Sequence, residues 1–330
     1  MRHATRIGRL GLLAGGLGVG AVLASTPGIA GADPATDPLS WIDELVSGLS
    51  VPAQTASGLD YQVSINGMDL FSTVDNTATA TSGEGSIAIA IGDGAYANAN
   101  GGLFGSDLGA LDLAFADGSG SSANTSLGDF LDVASAIDGG STNIGLGASL
   151  DNATAVGTGS FAQIGVDGNS DTAFADGTGS FADAGVGNND LATAFGTGSS
   201  ATAGVGNENI ATAVNGGDAT AGGFLANAFA NGTGTDAVAG GVSTTATVSG
   251  TNALAQSEGL SDLAYVINTG SAFDQAIAAG PFDIAEIFGS GSTALAGSDG
   301  LLDLAAAFGD MLDANATGGN FLIDILPSLF

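Results

Sequence analysis

The chain has 330 residues, a formal net charge of −31 at pH 7, 57 Gly, only 6 Pro and no Cys. So much Gly with so little Pro departs from globular usage and points to a repeat fold before separate cores, and the lack of Cys excludes disulfides and thiol chemistry. The three basic residues, Arg2, Arg6 and Arg9, and the single His, His3, all precede residue 10, which leaves 34 acids and no side-chain cation in the rest. That balance speaks against nucleic acid and anionic membrane surfaces as partners, and it removes zinc sites, His-based triads and Schiff bases for want of ligands or bases.

Residues 1–32 resemble an export signal. A basic head is followed by the apolar stretch Leu10–Ala24 and the small-residue site Ala30-Gly31-Ala32, so cleavage there is expected and the mature chain would be secreted or associated with the cell surface or envelope. Residues 33–76 read as an N-terminal cap segment. Asp33-Pro34 and Asp37-Pro38 make an extended lead-in. A short capping helix is expected over 40–49, started by Ser40 and Asp43, with Trp41, Ile42, Leu45, Val46 and Leu49 on one face. Tyr61–Ile65 reads as a strand closed by the hairpin pair Asn66-Gly67.

From Thr77 a Gly/Ala pattern begins, and residues 77–319 form the repeat domain. Ser86–Asn98, SIAIAIGDGAYAN, alternates at period two as strand, Gly turn, strand. The clearest units are DTAFADGTGSFADAGVGNN and DLATAFGTGSSATAGVGN, back to back over Asp171–Asn207. Each holds an acid, alternating Ala, Gly-x-Gly-Ser and a second alternating run. The units register on Ala114, Ala134, Ala153, Ala173, Ala192, Ala211, Ala228, Ala246, Ala264, Ala285 and Ala305, spaced 17 to 21 residues apart.

Two short strands and two turns per ~19–20 residues describe one rung of a β-solenoid, or β-roll. The predicted fold is therefore all-β with about eleven two-strand rungs, which would stack over about 50 Å at the usual inter-strand spacing. Period two does not say whether the Ala or the Phe174, Phe195 and Phe229 face is buried; Phe turned outward would mark a lateral interface. Leu301–Leu312 reads equally as helix or strand, and residues 320–330 form an apolar tail that suits a plug over the last rung or a contact with a partner.

Two positions before each registered Ala stands an acid column, Asp112, Asp132, Asp151, Asp171, Asp190, Asp262, Asp283 and Asp303, with Asn209 in the same place. Carboxylates one rung apart repel by roughly 3–4 kcal/mol per pair at an effective dielectric near 20. Splaying into water, raised pKa values or bound cations would relieve this. With Asp167, Asn169, Asn188, Asn189, Asn207 and Glu208 in the closing turns, an oxygen-only set of this kind suits Ca²⁺, so these eight Asp are the candidate metal ligands and Ca²⁺ the candidate cofactor. The alternative makes each Asp a turn residue bonded to its own backbone. The Gly-Gly-x-Gly-x-Asp nonapeptide of calcium β-rolls is not matched. The repeated Gly-x-Gly lacks the Lys of a phosphate loop, and the acids are spread one per rung instead of paired as in glycoside hydrolysis, so no enzymatic activity is expected.

Ser86–Ala99 (SIAIAIGDGAYANA) and Gly179–Gly187 (GSFADAGVG) resemble the head repeats of YadA-like trimeric autotransporter adhesins, which implies a β-roll and an adhesive surface role. The units are longer than that family's, and neither heptad stalk nor anchor strands are seen. The export signal ending in AGADP and the acidic Gly/Ala-rich body are similar to mycobacterial secreted proteins and, in passing, to PE-PGRS proteins, without a PE domain. The expected function is that of an exported, non-enzymatic structural or adhesion-type surface protein. The alternative is a calcium-binding acidic β-roll whose fold depends on the ion. Partners would be a protein or an envelope or host surface component, or further copies of the chain.

Overall fold

The computed structural model describes residues 60–327 except 74, 101–110, 127–130, 148, 233–234, 251, 267–273, 289–291, 298–302, 309, 311 and 317–322, with backbone alone for 323–327. The expected signal and the helix expected over 40–49 lie outside the described residues. Among these residues there is no helix: short strands wind into a β-solenoid of about eleven turns, and the chain alternates between two facing sheets.

Each turn gives one strand to each sheet. The parallel part of the first sheet runs from Ile87–Ile91 through Leu113–Asp117, Val133–Ile137, Asn152–Val156, Thr172–Asp176 and Leu191–Phe195 to Leu304–Phe308 and Ile323–Pro327. The second sheet holds the partner strands, such as Ser122–Thr125, Phe161–Ile164, Phe181–Ala184 and Ser200–Asn207. Parallel strands so close in sequence are possible here because each pair is joined by a full turn of the coil through the other sheet.

The repeat register is met residue for residue. Ala114 pairs with Ala134, Ala134 with Ala153, Ala153 with Ala173, Ala173 with Ala192 and Ala192 with Ala211, and the series continues through Ala228, Ala246, Ala264 and Ala285 to Ala305. It also extends one rung earlier, where Ala88 pairs with Ala114. Leu304–Phe308 is a strand, because the last registered Ala, Ala305, pairs with Ala285 and carries its neighbours into the sheet; the helical alternative for Leu301–Leu312 is overturned.

The Ala face is the buried one. Ala173, Ala175, Ala182 and Ala184 of one rung are fully buried, as are their counterparts up and down the stack, and they form a single narrow core. Only at intervals does a larger side chain enter it, as with Ile144, Ile164, Val248, Val266 and Ile287. Each buried methyl contributes only ~0.8 kcal/mol, so the stack depends on many equal rungs and on uninterrupted backbone ladders.

One end of the first sheet is closed by an antiparallel hairpin. Tyr61–Ile65 and Met68–Ser72 pair around Asn66-Gly67, whose φ values of 53° and 75° are those of the left-handed turn expected there. Tyr61–Ile65 then pairs antiparallel with Ile87–Ile91. This reversal ends the parallel stack and occupies an edge that would otherwise be open to pairing with another chain. At the other end, the backbone of Ile323–Pro327 adds a parallel strand beside Leu304–Phe308.

Candidate functional site

The two corners of each rung differ. At the corner that follows a first-sheet strand, Gly-x-Gly-Ser makes the bend. Gly177 (φ 131°) and Gly179 (φ 67°) are left-handed, and a Cβ on Gly177 would come within 2.6 Å of the Gly196 backbone on the next rung. The Ser that follows is buried and donates its hydroxyl to its own turn, Ser160 Oγ to the Gly157 carbonyl at 2.8 Å and Ser199 Oγ to the Phe195 carbonyl at 2.6 Å, while Ser121 and Ser199 Oγ also accept the next-rung N–H of Gly139 at 2.9 Å and Gly216 at 2.8 Å.

The opposite corner, which leads into a first-sheet strand, carries the acid column. All eight predicted residues, Asp112, Asp132, Asp151, Asp171, Asp190, Asp262, Asp283 and Asp303, are there, each no more than 1% exposed, with Asn209 among them. Splaying into water is thereby excluded. Immediately before the column the backbone is left-handed at Leu131, Leu150, Ser170, Asn189, Glu208, Leu225, Ser243, Ser261 and Phe282, with φ between 57° and 65°. This conformation costs a non-glycine residue about 1–2 kcal/mol. It turns the following residue inward.

From Asp112 to Asp190, and at Asp262, the carboxylate is bonded to the next rung, where the turn reading had it bonded to its own backbone. Oδ1 of Asp112 accepts the N–H of Asp132 at 3.2 Å, Asp132 that of Asp151 at 2.9 Å, Asp151 that of Asp171 at 2.7 Å and Asp171 that of Asp190 at 2.8 Å. Asp190 takes the N–H of Asn209 at 2.8 Å, and Asn209 continues the chain to Ala226. Higher up, Asp262 accepts the N–H of Asp283 at 3.4 Å. The backbone carbonyls run the same way, with Thr172 N–H donating to Asp190 O and Leu191 N–H to Asn209 O. Side chain and main chain thus form two adjacent ladders along the stack.

The second oxygen is differently placed. Oδ2 of Asp112, Asp132, Asp151, Asp171 and Asp190 is buried and receives no hydrogen bond. Burial pushes the carboxyls of Asp132 and Asp171 up to about 7, with neighbouring carboxylates adding to the rise and next-rung N–H groups opposing it. Burial likewise raises Asp151, Asp190 and Asp283 to about 6, and Asp112 and Asp262 upward. Among the described residues, no three Asp, Glu, His or Cys side chains converge on a point as a metal ion would need. The turn amides are engaged with one another: Asn169 Nδ2 donates to Asn188 Oδ1 at 2.9 Å and Asn188 Nδ2 to Asn207 Oδ1 at 2.7 Å. Asp167 and Glu208 are exposed.

The outward faces form a second candidate site that sequence periodicity left open. On the first sheet the outward columns hold Ile87, Leu113, Val133, Leu191 and Ile210, interrupted by Asn152, Thr172 and Asn227, beside Phe115, Phe174, Phe229 and Tyr265, interrupted by Ser135, Thr154, Thr193 and Thr212; acids are few there, at Asp117, Asp176 and Glu286. Phe195 and Phe229 are 40% and 39% exposed, and the Phe174 and Phe195 rings lie 5.2 Å apart. The second sheet's outward face is polar. Asn98 donates to Asn124 at 2.7 Å and Asn124 to Asn143 at 2.8 Å, and the same face carries Asp183, Asp218, Asp236, Glu258 and Asp313. Its apolar members are Tyr96, the stacked pair Phe161–Phe181 at 5.7 Å, and Val238, Leu254, Ile277 and Leu295.

Comparison with protein-family models, with curated proteins and with solved structures finds no match.

Proposed function

We propose that the chain is an exported, non-enzymatic structural protein of adhesion type at the cell surface or envelope, which engages its partner through the outward face of the first sheet. The supporting observation is the difference between the two outward faces: the first carries aliphatic and aromatic residues at most of its positions, with Thr, Ser and Asn between them, whereas the second carries mostly Asn, Gln, Ser, Thr and acids. A solenoid needs no such contrast to fold, because both faces lie outside the Ala core. Three outward positions per strand over eleven rungs offer roughly 600–700 Å² to a partner, close to the ~800 Å² per side of a standard interface. The resemblance of the repeats to YadA-like adhesin heads points the same way, as does the export signal.

The test uses changes that the protein itself makes. Thr193 and Thr212 occupy the same outward column as Phe174 and Phe229, so the double variant Phe174→Thr/Phe229→Thr removes apolar surface without asking the fold for anything new. The purified protein is expected to cosediment with isolated cell envelopes and the double variant to do so at least tenfold more weakly. Equal sedimentation of both, or a protein that stays in the supernatant, would overturn the proposal.

A further inference from the structure

Three observations converge on the buried column. From Asp112 to Asp190 the Oδ1 atoms are filled by next-rung N–H groups and the Oδ2 atoms meet no donor, and no Lys, Arg or His occurs beyond residue 9. The charged groups in the turns leading to it, Asp167, Glu208 and Glu258, are of the same sign and exposed, and the remaining charges around each member are its neighbours in the column. A row of ionised carboxylates has nothing to balance it here.

Asn209 shows what the position requires. Its Oδ1 accepts the N–H of Ala226 at 3.2 Å as an Asp would, and its Nδ2 donates to the Gly223 carbonyl on the next rung at 3.2 Å. The same arrangement stands one rung earlier. A Cβ on Gly206 would collide with the Gly223 carbonyl oxygen and with Asn209 Nδ2; a Cβ on Gly187 would collide with the Gly206 carbonyl oxygen and with Asp190 Oδ2. Asp190 Oδ2 therefore faces a carbonyl where Asn209 presents an N–H. Two acceptor oxygens set against each other are reconciled by a proton between them.

We propose that Asp132, Asp151, Asp171 and Asp190 are neutral carboxylic acids in the folded protein, each accepting a backbone N–H at Oδ1, with Asp171 and Asp190 donating Oδ2–H to the next-rung carbonyls of Gly187 and Gly206, so that ionisation of the column loosens the stack. Asn209 is the permanently neutral member of the same ladder. Asp262 departs from it, because the Gly280 N–H donates to its Oδ2 at 3.3 Å. The arrangement makes the solenoid an acid-favoured structure that responds to alkalinity along its whole length.

The experiment compares thermal melts of the purified protein and its Asp171→Asn variant at pH 5 and pH 8. Asn supplies the N–H that the acid supplies only when protonated, so the variant is expected to match the parent at pH 5 and to melt about 2–4 °C higher at pH 8. Asp167→Asn, at an exposed turn, is expected to leave both melts unchanged. A variant that gains nothing at pH 8 relative to pH 5 overturns the proposal. Infrared spectra of the unaltered protein give an independent reading. The carbonyl stretch of protonated carboxylic acid should persist at pH 6, and its loss by pH 5 would reject the neutral column. If millimolar calcium raises the melt at pH 8 and Asp171→Asn abolishes that rise, the column holds cations and the proposal fails.

Discussion

The two corners of a rung solve the same problem, reversing the chain over a core of Ala, by opposite means. At the Gly-x-Gly-Ser corner the bend is met by glycine and the polar group closes on its own turn, as Ser160 does on Gly157 at 2.8 Å. At the Asp corner the bend is carried by residues such as Leu150 and Phe282 in the left-handed region, and the polar group reaches the next rung, as Asp151 does to the N–H of Asp171 at 2.7 Å. The Ser corner chiefly stabilises a rung and reaches the next at intervals, as where Ser121 and Ser199 Oγ accept the Gly139 and Gly216 N–H at 2.9 and 2.8 Å, whereas the Asp corner joins rungs in unbroken succession from Asp112 to Asn209. Joining matters more in a stack whose inward side chains are mostly single methyl groups, since thin layers gain little from packing alone.

The largest test of this contrast is pH, because it acts on the whole Asp corner and leaves the Ser corner alone. Folding raises Asp132 and Asp171 to about 7 and Asp151, Asp190 and Asp283 to about 6, against an ordinary value of 3.8. With folded values above unfolded ones, the folded state holds more protons between these limits. Stability is therefore complete below about pH 4 and is lost as pH rises through 6 to 7. The melting temperature is expected to fall between pH 5 and pH 8, most steeply near the middle of that interval. A melt that rises over the same range would show carboxylates stabilised in their charged form and would remove the distinction between the corners.

How much of this was legible depends on the signal each feature leaves. The register could be read because a nearly constant unit length sets Ala114 through Ala305 opposite one another, and the paired strands agree at every step. The rung of Ala88 was harder to place, since 26 residues separate it from Ala114. The buried face was not legible: alternation at period two is the same whichever side faces in, and Ala is small enough for either. The acid column was visible as spacing, but its burial ran against the usual exposure of Asp. The left-handed residues before it include Leu131, Leu150 and Phe282, which carry none of the Gly or Asn signals of that conformation. The Ser of Gly-x-Gly-Ser was visible, and its bond to its own turn follows from ordinary turn chemistry.

Glycine substitutions separate the corners next. A Cβ on Gly187, before Asp190, would overlap the Gly206 carbonyl oxygen on the following rung, so Gly187→Ala forces two rungs apart. A loss of about 4 kcal/mol or more is expected, in the range reserved for broken packing. Gly179, at the other corner, has open space around its Cβ position, and only its φ of 67° resists a side chain. Gly179→Ala is expected to cost about 1 kcal/mol. Chemical denaturation of the two variants measures both, and equal losses would mean that the contact of Gly187 with the next rung costs no more to break than the backbone strain at Gly179.

The smallest effect isolates the polar groups themselves. Asp171→Ala leaves the buried N–H of Asp190, now bonded at 2.8 Å, without its acceptor, and is expected to cost about 1–3 kcal/mol at pH 5. Ser160→Ala removes a donor and leaves only the Gly157 carbonyl short of one bond, for about 1 kcal/mol or less. The stack already contains both changes in kind: Gly140 and Gly217 stand in the Ser column without a hydroxyl, and Ala226 stands in the Asp column where the repeat shortens to 17 residues. Both absences go with a rebuilt turn: at Gly140 and Gly217 the bend is shorter, Asp138 and Asn215 are left-handed, and the Gly139 and Gly216 N–H groups donate to the Ser121 and Ser199 hydroxyls of the preceding rung. Denaturation at pH 5 should rank Asp171→Ala below Ser160→Ala in stability. The reverse order would make the Ser corner the stronger tie between rungs, and hydrogen exchange at Asp190 N–H, accelerated by the first substitution and not by the second, would decide which corner holds successive rungs together.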